Sequence, residues 1–246
     1  MQRLVVEAEQ IQGQTLSLTK NQQHYLKRVL RLREGDRFLA LNGQGELWLA
    51  TLTLMGQQAT LSSPAETVSS EQDLSGQKPW ITLAACLPKQ GFDEVVRQVT
   101  ELGVDHIVPI ISDRTLLRPR LNKLQRWQRI AAEAAEQSER LTVPDLREPI
   151  SWPEWLAEET NSHRYLCVAR HATPSLLTIC LSTDIERVVV AIGPEGGWTD
   201  AEIEQAIAAG YQPVTLGRRI LRAVTAAVAA LTILQARFEF ASMDPY

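Results

Sequence analysis

The hydrophobic pattern of this chain changes character near residue 80. Before that point the apolar residues come in short bursts broken by glycine and polar turns. Gln2 to Val6, Arg37 to Asn42, Glu46 to Leu54 and Gln57 to Ser62 each read as a strand. Gly43-Gln44-Gly45 joins the middle pair as a hairpin, and Glu34-Gly35-Asp36 is a tight turn. His24 to Arg31 reads as a short helix or turn. Short strands at such close spacing predict a small β-barrel. Ser62 to Pro79 is polar, carries two prolines and has no periodicity, so it reads as a linker.

From Trp80 onward strands and helices alternate. Trp80 to Leu87 is an apolar strand. Asp93 to Leu102 carries Val95, Val96, Val99 and Leu102 on one helical face and stops at Gly103. Asp105 to Ile111 is the next strand, Lys123 to Ser138 a helix, Tyr165 to Ala169 a strand, and Leu176 to Cys180 part of a helix. The pattern is sharpest after residue 187. Val188 to Ile192 is a β-branched run suited to a buried strand, and the turn Gly193-Pro194-Glu195-Gly196-Gly197 follows it. Thr199 and Glu202 form a capping box, Ile203, Ala206, Ile207 and Ala209 give an apolar face, and Gly210 is a left-handed stop. Pro213 to Leu216 is a further strand, Gly217 opens a second loop, and a helix runs from near Ala223 towards Phe238. Repeated strand, loop, helix implies an α/β fold with a parallel sheet and helical crossovers. Two glycine-bearing loops then fall at the carboxyl ends of strands, where open α/β sheets bind ligands.

The first loop excludes some ligands. It lacks the Gly-Lys-Ser/Thr ending of a Walker A loop and the spacing of a dinucleotide loop, and it places Glu195 where a polyphosphate would be repelled. An acidic, amide-lined loop suits an uncharged or cationic ligand, such as S-adenosylmethionine with its sulfonium. Two ordinary strand-to-helix turns would use the same residues.

Composition narrows the setting. The 246 residues suffice for one large or two modest domains, and 44% apolar with 22% charged residues is an ordinary globular balance. No run of about 18 uncharged apolar residues occurs, so no membrane span is expected. The amino terminus, with Arg3 and Glu7, lacks an apolar signal core, which points to the cytoplasm. Cys86, Cys167 and Cys180 lie in or beside apolar runs without Cys-x-x-Cys spacing and read as reduced. His24, His106, His163 and His171 have no ligand spacing, so no metal is expected. The net charge of −4 argues against a general nucleic-acid binder, but the charge is uneven. Met1 to Arg37 is basic, and Arg114 to Arg129 holds six cations, Arg118 and Arg120 among them, and no acid. Such local patches suit docking on structured RNA, or form solvated helix faces.

A resemblance adds to this reading. Ile192-Gly193-Pro194-Glu195-Gly196-Gly197, with Leu216-Gly217 and Ile220-Leu221-Arg222-x-x-Thr225-Ala226, resembles the ribosomal small-subunit uridine-N3 methyltransferase family (RsmE) of the SPOUT superfamily. Lys89-Gln90-Gly91, Thr100 to Val104, Glu136-Gln137-Ser138-x-Arg140 and the segment around His24-Tyr25-Leu26 extend the likeness over nearly the whole chain. The resemblance implies a PUA-like β-barrel for RNA docking over residues 1–72. It implies a SPOUT methyltransferase domain with a trefoil knot over 73–246, acting as a homodimer with S-adenosylmethionine as cofactor. It assigns donor binding to Ile192, Gly193, Glu195, Gly196, Gly197, Leu216, Gly217, Ile220 and Leu221, mostly through backbone groups. Arg222 becomes the catalytic candidate, and Arg3, His24, Arg28, Arg31, Arg114 and Arg140 the RNA-binding candidates. The expected reaction is methylation of N3 of a uridine in 16S ribosomal RNA. A non-catalytic RNA-binding assembly factor and an enzyme acting on transfer RNA are the alternatives. Two positions depart from the family pattern: Val224 replaces a usual glutamate and Gln98 a usual lysine.

Overall fold

A computed structural model describes residues 1–53, 56–62, 79–116, 122–158, 163–179 and 185–241. Cys180, Arg118, Arg120 and most of the expected linker lie outside the described residues. The chain divides into two compact units, Met1–Asp73 with Ala132–Val143, and Leu74–Ala131 with Pro144–Tyr246.

The first unit is built on one six-stranded sheet. Its strands are β1 (Arg3–Val5), β2 (Ile11–Gln12), β3 (Thr15–Ser17), β4 (Arg37–Leu41), β5 (Leu47–Leu52) and β6 (Gln58–Leu61), in the order β1-β4-β5-β6-β3-β2. β4 and β5 form the expected antiparallel hairpin. The strands β2 and β3, two and three residues long, are too brief and too polar for periodicity to reveal. Between β3 and β4, Thr19 caps α1 (Lys20–His24) by accepting the Gln22 amide, and a π-helical turn, Tyr25–Val29, buries Leu26. Alternate side chains point inward: Leu16, Phe38, Ala40 and Ala50 are fully buried.

Residues 132–143 complete this unit. The amide of Val143 donates to the Gly43 carbonyl at 2.9 Å, and that of Gly45 to the Leu141 carbonyl at 3.1 Å. Gly43 sits at φ +70°, and a side chain there would meet Val143 Cγ2 at 3.0 Å, so only glycine lets the hairpin tip lie so close. Arg3 donates to the Glu139 carbonyl and pairs with its carboxylate at 3.1 Å. Glu136 Oε1 accepts the Val5 amide at 2.6 Å.

The second unit holds a parallel sheet. Its principal strands are β7 (Trp80–Cys86), β8 (His106–Ile111), β11 (His163–Cys167), β12 (Arg187–Ile192) and β13 (Gln212–Val214). Two short strands, β9 (Asp145–Leu146) and β10 (Ile150–Ser151), both pair with β8. The order is β10-β8-β7-β12-β11-β13, and every pairing is parallel. Ile81 to Cys86 and Val188 to Ile192 are continuously buried, as strands covered on both faces must be. The helices are α2 (Phe92–Glu101), α3 (Asn122–Gln137, of which residues 132–137 belong to the first unit), α4 (Trp152–Glu158), α5 (Leu176–Ile179), α6 (Asp200–Ala208) and α7 (Ala223–Ala241). α4 was not expected from the pattern, because seven residues give barely two turns of periodicity. Its Trp152 and Trp155 nevertheless anchor an aromatic core with Trp198 and Tyr211. Trp152 lies 4.5 Å from Trp198, centroid to centroid, and each such buried ring adds several kcal/mol of stability, roughly 3–5 by truncation.

Burial pushes the Glu136 carboxyl up to about 7, with the Glu133 charge adding to the shift and the Val5 hydrogen bond opposing it. The folded state therefore holds a proton that the unfolded chain has released above its ordinary value of 4.5. Stability falls as pH rises from there to about 7. Glu136→Gln keeps an acceptor for Val5 and removes the charge. The variant is expected to match the parent near pH 4 and to exceed it by ~1–3 kcal/mol at pH 8 in denaturant titrations. An advantage that does not grow with pH would contradict this.

Candidate active site

The site is set by register. Cys167 at the end of β11 lies opposite Ile192 of β12 on one side and Val214 of β13 on the other. Gly193 and Thr215 thus leave the sheet at the same level, one strand apart on either side of β11. The bends are separated by two strand spacings, about 10 Å. The loop after β7, Lys89-Gln90-Gly91, leaves the same edge beyond β12.

The glycine loop after β12 is braced from several strands. A side chain on Gly193 would meet the Trp198 ring at 2.9–3.1 Å. That ring is buried, and its Nε1–H donates to the Cys167 carbonyl at 3.2 Å. Glu195 Oε1 accepts the Lys89 amide at 2.8 Å, so its carboxylate ties this loop to the loop after β7. Arg114 Nη1 donates to the Gly196 carbonyl at 2.7 Å. Gly197, at φ +72°, closes the turn by donating to the Pro194 carbonyl at 2.8 Å. The capping box forms as expected: Glu202 accepts the Thr199 amide at 2.8 Å. Glu202 is buried, and its other oxygen accepts the Asp113 amide at 2.9 Å, so one carboxylate fixes both the helix start and the loop after β8.

The second loop folds on itself. Thr215 Oγ1 accepts the Gly217 amide at 3.2 Å and donates to the Gly217 carbonyl at 2.9 Å. Gly217 sits at φ +131°, a region closed to most side chains. No atom lies within 4 Å of a side-chain position on either Gly197 or Gly217, so both bends present main chain to open space. Leu216 and Leu221 are half-buried, and Ile220 is 63% exposed. Arg222 stands exposed just before α7, and its guanidinium has no hydrogen bond or ion pair among the described residues. Val224 in the first turn of α7 packs close to Gly91, its Cγ2 lying 3.1 Å from where a side chain there would begin.

The other candidates lie elsewhere. Arg3, His24, Arg28, Arg31 and Arg140 belong to the first unit. His24, Arg28 and Arg31 are exposed there, whereas Arg3 is engaged with Glu139 and Arg140 is half-buried beside Thr142. Arg114 lies on the glycine loop. Trp198 and the second contact of Glu202 were not singled out from the sequence, and Lys89 was noted there only as part of the family likeness, with no role at the site. Trp198 directly follows the Gly-Gly pair, which is a signal, but its partner at Cys167 is 31 residues away in the chain. Cys86 is buried, and burial pushes its thiol up, the character of a structural rather than a reactive cysteine. Among the described residues no group of three His, Cys, Asp or Glu side chains could hold a metal ion.

Comparison with known proteins places this geometry in context. A family model for an RNA methyltransferase domain matches residues 76–235, and one for an RNA methyltransferase PUA domain matches residues 18–59. Ribosomal RNA small subunit methyltransferase E of Synechocystis sp. is 46% identical over 96% of this chain and 78% of its own length. The crystal structure of a ribosomal RNA small subunit methyltransferase E from Neisseria gonorrhoeae, bound to S-adenosyl methionine, is 33% identical with a TM-score of 0.81. It covers 96% of this chain and 97% of that one. A methyltransferase structure from Legionella pneumophila, in complex with the cofactor SAM, has a TM-score of 0.82 at 28% identity and covers 95% and 96% of the two chains.

The contact between Gly193 and Trp198 makes a stability prediction. Gly193→Ala forces the added methyl onto the indole and is expected to cost about 1–3 kcal/mol in denaturant titrations. Trp198→Ala removes the ring atoms that the added methyl would meet. In the double variant the alanine is expected to cost less than it does alone. Strictly additive costs would show that the ring does not set the limit on residue 193.

Proposed function

The chain belongs to the ribosomal RNA small subunit methyltransferase E family, and on that premise we propose that it transfers a methyl group from S-adenosylmethionine to N3 of a uridine in small-subunit ribosomal RNA. One observation carries the reading. Two glycine bends at one edge of the parallel sheet offer main-chain groups to open space, beside an arginine without a partner among the described residues.

The residues fit the donor. Glycine at 197 and 217 lets a ligand approach the backbone directly, glycine at 193 and 196 lets Trp198 and Arg114 pack against the loop, and Glu195 adds no repulsion towards a sulfonium. Gly193, Glu195, Gly196 and Gly197 would hold it on one side, with Ile192 beneath, and Leu216, Gly217, Ile220 and Leu221 on the other. When bound, S-adenosylmethionine supplies a methyl group already activated for in-line transfer, so the protein needs no covalent nucleophile. The chain's task is alignment and charge. A uridine N3 must lose its proton, and the negative charge then spreads to the ring oxygens. Arg222 is the group to stabilise that charge. Among the described residues it has no carboxylate partner, which leaves its charge available, and Val224 is consistent with this, since no acid stands at the position where the family usually has one. Glu195 acts as a brace, because its carboxylate is bonded to Lys89.

Residues 1–72, completed by 132–143, serve as the PUA-like RNA-docking module, and the rest of 73–246 as the SPOUT methyltransferase domain. The exposed His24, Arg28 and Arg31 are best suited to phosphate contacts, with Arg3 and Arg140 in supporting positions. The carboxyl-terminal segment forms a trefoil knot. This is supported by its route, which leaves β13 at the sheet edge and returns in α7 against α2, β7 and β12. The enzyme works as a homodimer in the cytoplasm. Dimerisation is supported by the near-continuous apolar sequence of α7 and by Leu177 and Ile220, both more than half exposed. The Gln235 amide, buried in α7, also has no hydrogen-bond partner among the described residues.

The test is methyl transfer from labelled S-adenosylmethionine into purified small ribosomal subunits. Label is expected on N3 of a uridine; label confined to transfer RNA, or none, would overturn the reading. Arg222→Ala is expected to lower kcat by on the order of 100-fold or more while the donor Kd stays within about twofold. A loss seen only in donor affinity would move Arg222 from the reacting centre to the cofactor pocket.

A further inference from the structure

We infer that Arg114 is a positioning residue for the methyl-donor loop rather than an RNA contact. The inference rests on the donor-binding reading above. Basic composition between Arg114 and Arg129 suggests nucleic acid, but the geometry of Arg114 points inward. Its Nη1 donates to the Gly196 carbonyl at 2.7 Å and lies 3.5 Å from the Trp198 carbonyl. Its stem lies along the backbone of Gly196, with Cδ 3.2 Å and Cβ 3.5 Å from the side-chain position that glycine leaves empty.

The loop needs such a restraint. Gly196 and Gly197 are adjacent, and a peptide between two glycines turns over with little steric resistance. A reversal would exchange the directions of a carbonyl and an amide in the loop proposed to hold the donor. Here that peptide unit is pinned at both ends. Its N–H, on Gly197, donates to the Pro194 carbonyl at 2.8 Å, and its carbonyl, on Gly196, accepts from Arg114. Arg114 is itself held in place. The Ser112 amide donates to Thr115 Oγ1 at 2.9 Å, the Thr115 amide to the Ser112 carbonyl at 3.0 Å, and the Asp113 amide to buried Glu202 at 2.9 Å. The loop after β8 is thereby a fixed base from which one charged side chain sets the orientation of a flexible one. A charge-assisted bond of this kind is stronger than a neutral one.

Calorimetric titration of the full-length protein with S-adenosylhomocysteine, without RNA, tests this. Arg114→Met keeps the stem and removes the donor, and is expected to weaken binding on the order of tenfold or more. Arg114→Lys returns a cation to the same carbonyl and is expected to recover part of the loss, which separates loop orientation from packing. Binding of both variants to a small-subunit RNA fragment, and its dependence on salt, are expected to match the parent. Unchanged donor affinity in Arg114→Met, with the RNA salt slope reduced by about one contact, would overturn the inference and return Arg114 to the RNA surface. If the parent protein itself binds no S-adenosylhomocysteine, the methyl-donor reading fails, and this inference with it.

Discussion

The site depends on the parallel register of three strands. β12, β11 and β13 lie side by side and end at the same level, with Cys167 opposite both Ile192 and Val214. Parallel pairing alone makes this possible, because it sends every carboxyl end to one edge. The two glycine bends then leave the sheet at one level, about two strand spacings apart. A one-residue slip of β12 would turn each of its side chains to the opposite face, spoil the packing of the run Val188 to Ile192 on both faces and displace Gly193 from its level. Apolar burial therefore holds the polar edge in place.

A second layer converts this alignment into a fixed loop. Lys89, Arg114 and Cys167 come from the ends of β7, β8 and β11, and each bonds to a different residue of the glycine loop: Glu195, Gly196 and Trp198. Beneath them Glu202 joins the start of α6 to the loop after β8, and Trp152 packs on Trp198. The glycines leave the main chain accessible, and the braces remove the freedom that glycine would otherwise bring. Accessible yet ordered backbone is what a donor gripped by amides and carbonyls requires.

Much of the fold was legible in the sequence, for physical reasons. Val188 to Ile192 is a long β-branched run with a glycine turn behind it, and Thr199 with Glu202 marks a helix start by a local hydrogen-bond pattern. Local rules suffice for such elements. They fail for β2, β3 and α4, whose few residues cannot express a period and which exist because the rest of their unit covers them. The site divides the same way. Gly197 and Gly217 announce themselves because an open bend is a local requirement, whereas Gly193 and Gly196 also make room for Trp198 and Arg114. The braces do not announce themselves, because Lys89 and Glu195 are 106 residues apart and Arg114 and Gly196 are 82 apart. Arg114 also stands in a basic stretch whose composition suggests another use, and only its position shows what it touches.

In the proposed reaction the donor is gripped by the main chain of these two bends. Amide hydrogen exchange, followed with and without S-adenosylhomocysteine, measures that contact directly. New protection is expected in residues 193–197 and 215–221, flanking a sheet whose exchange is already slow. Saturating ligand that leaves both segments unprotected, or that protects a different part of the chain, would contradict it.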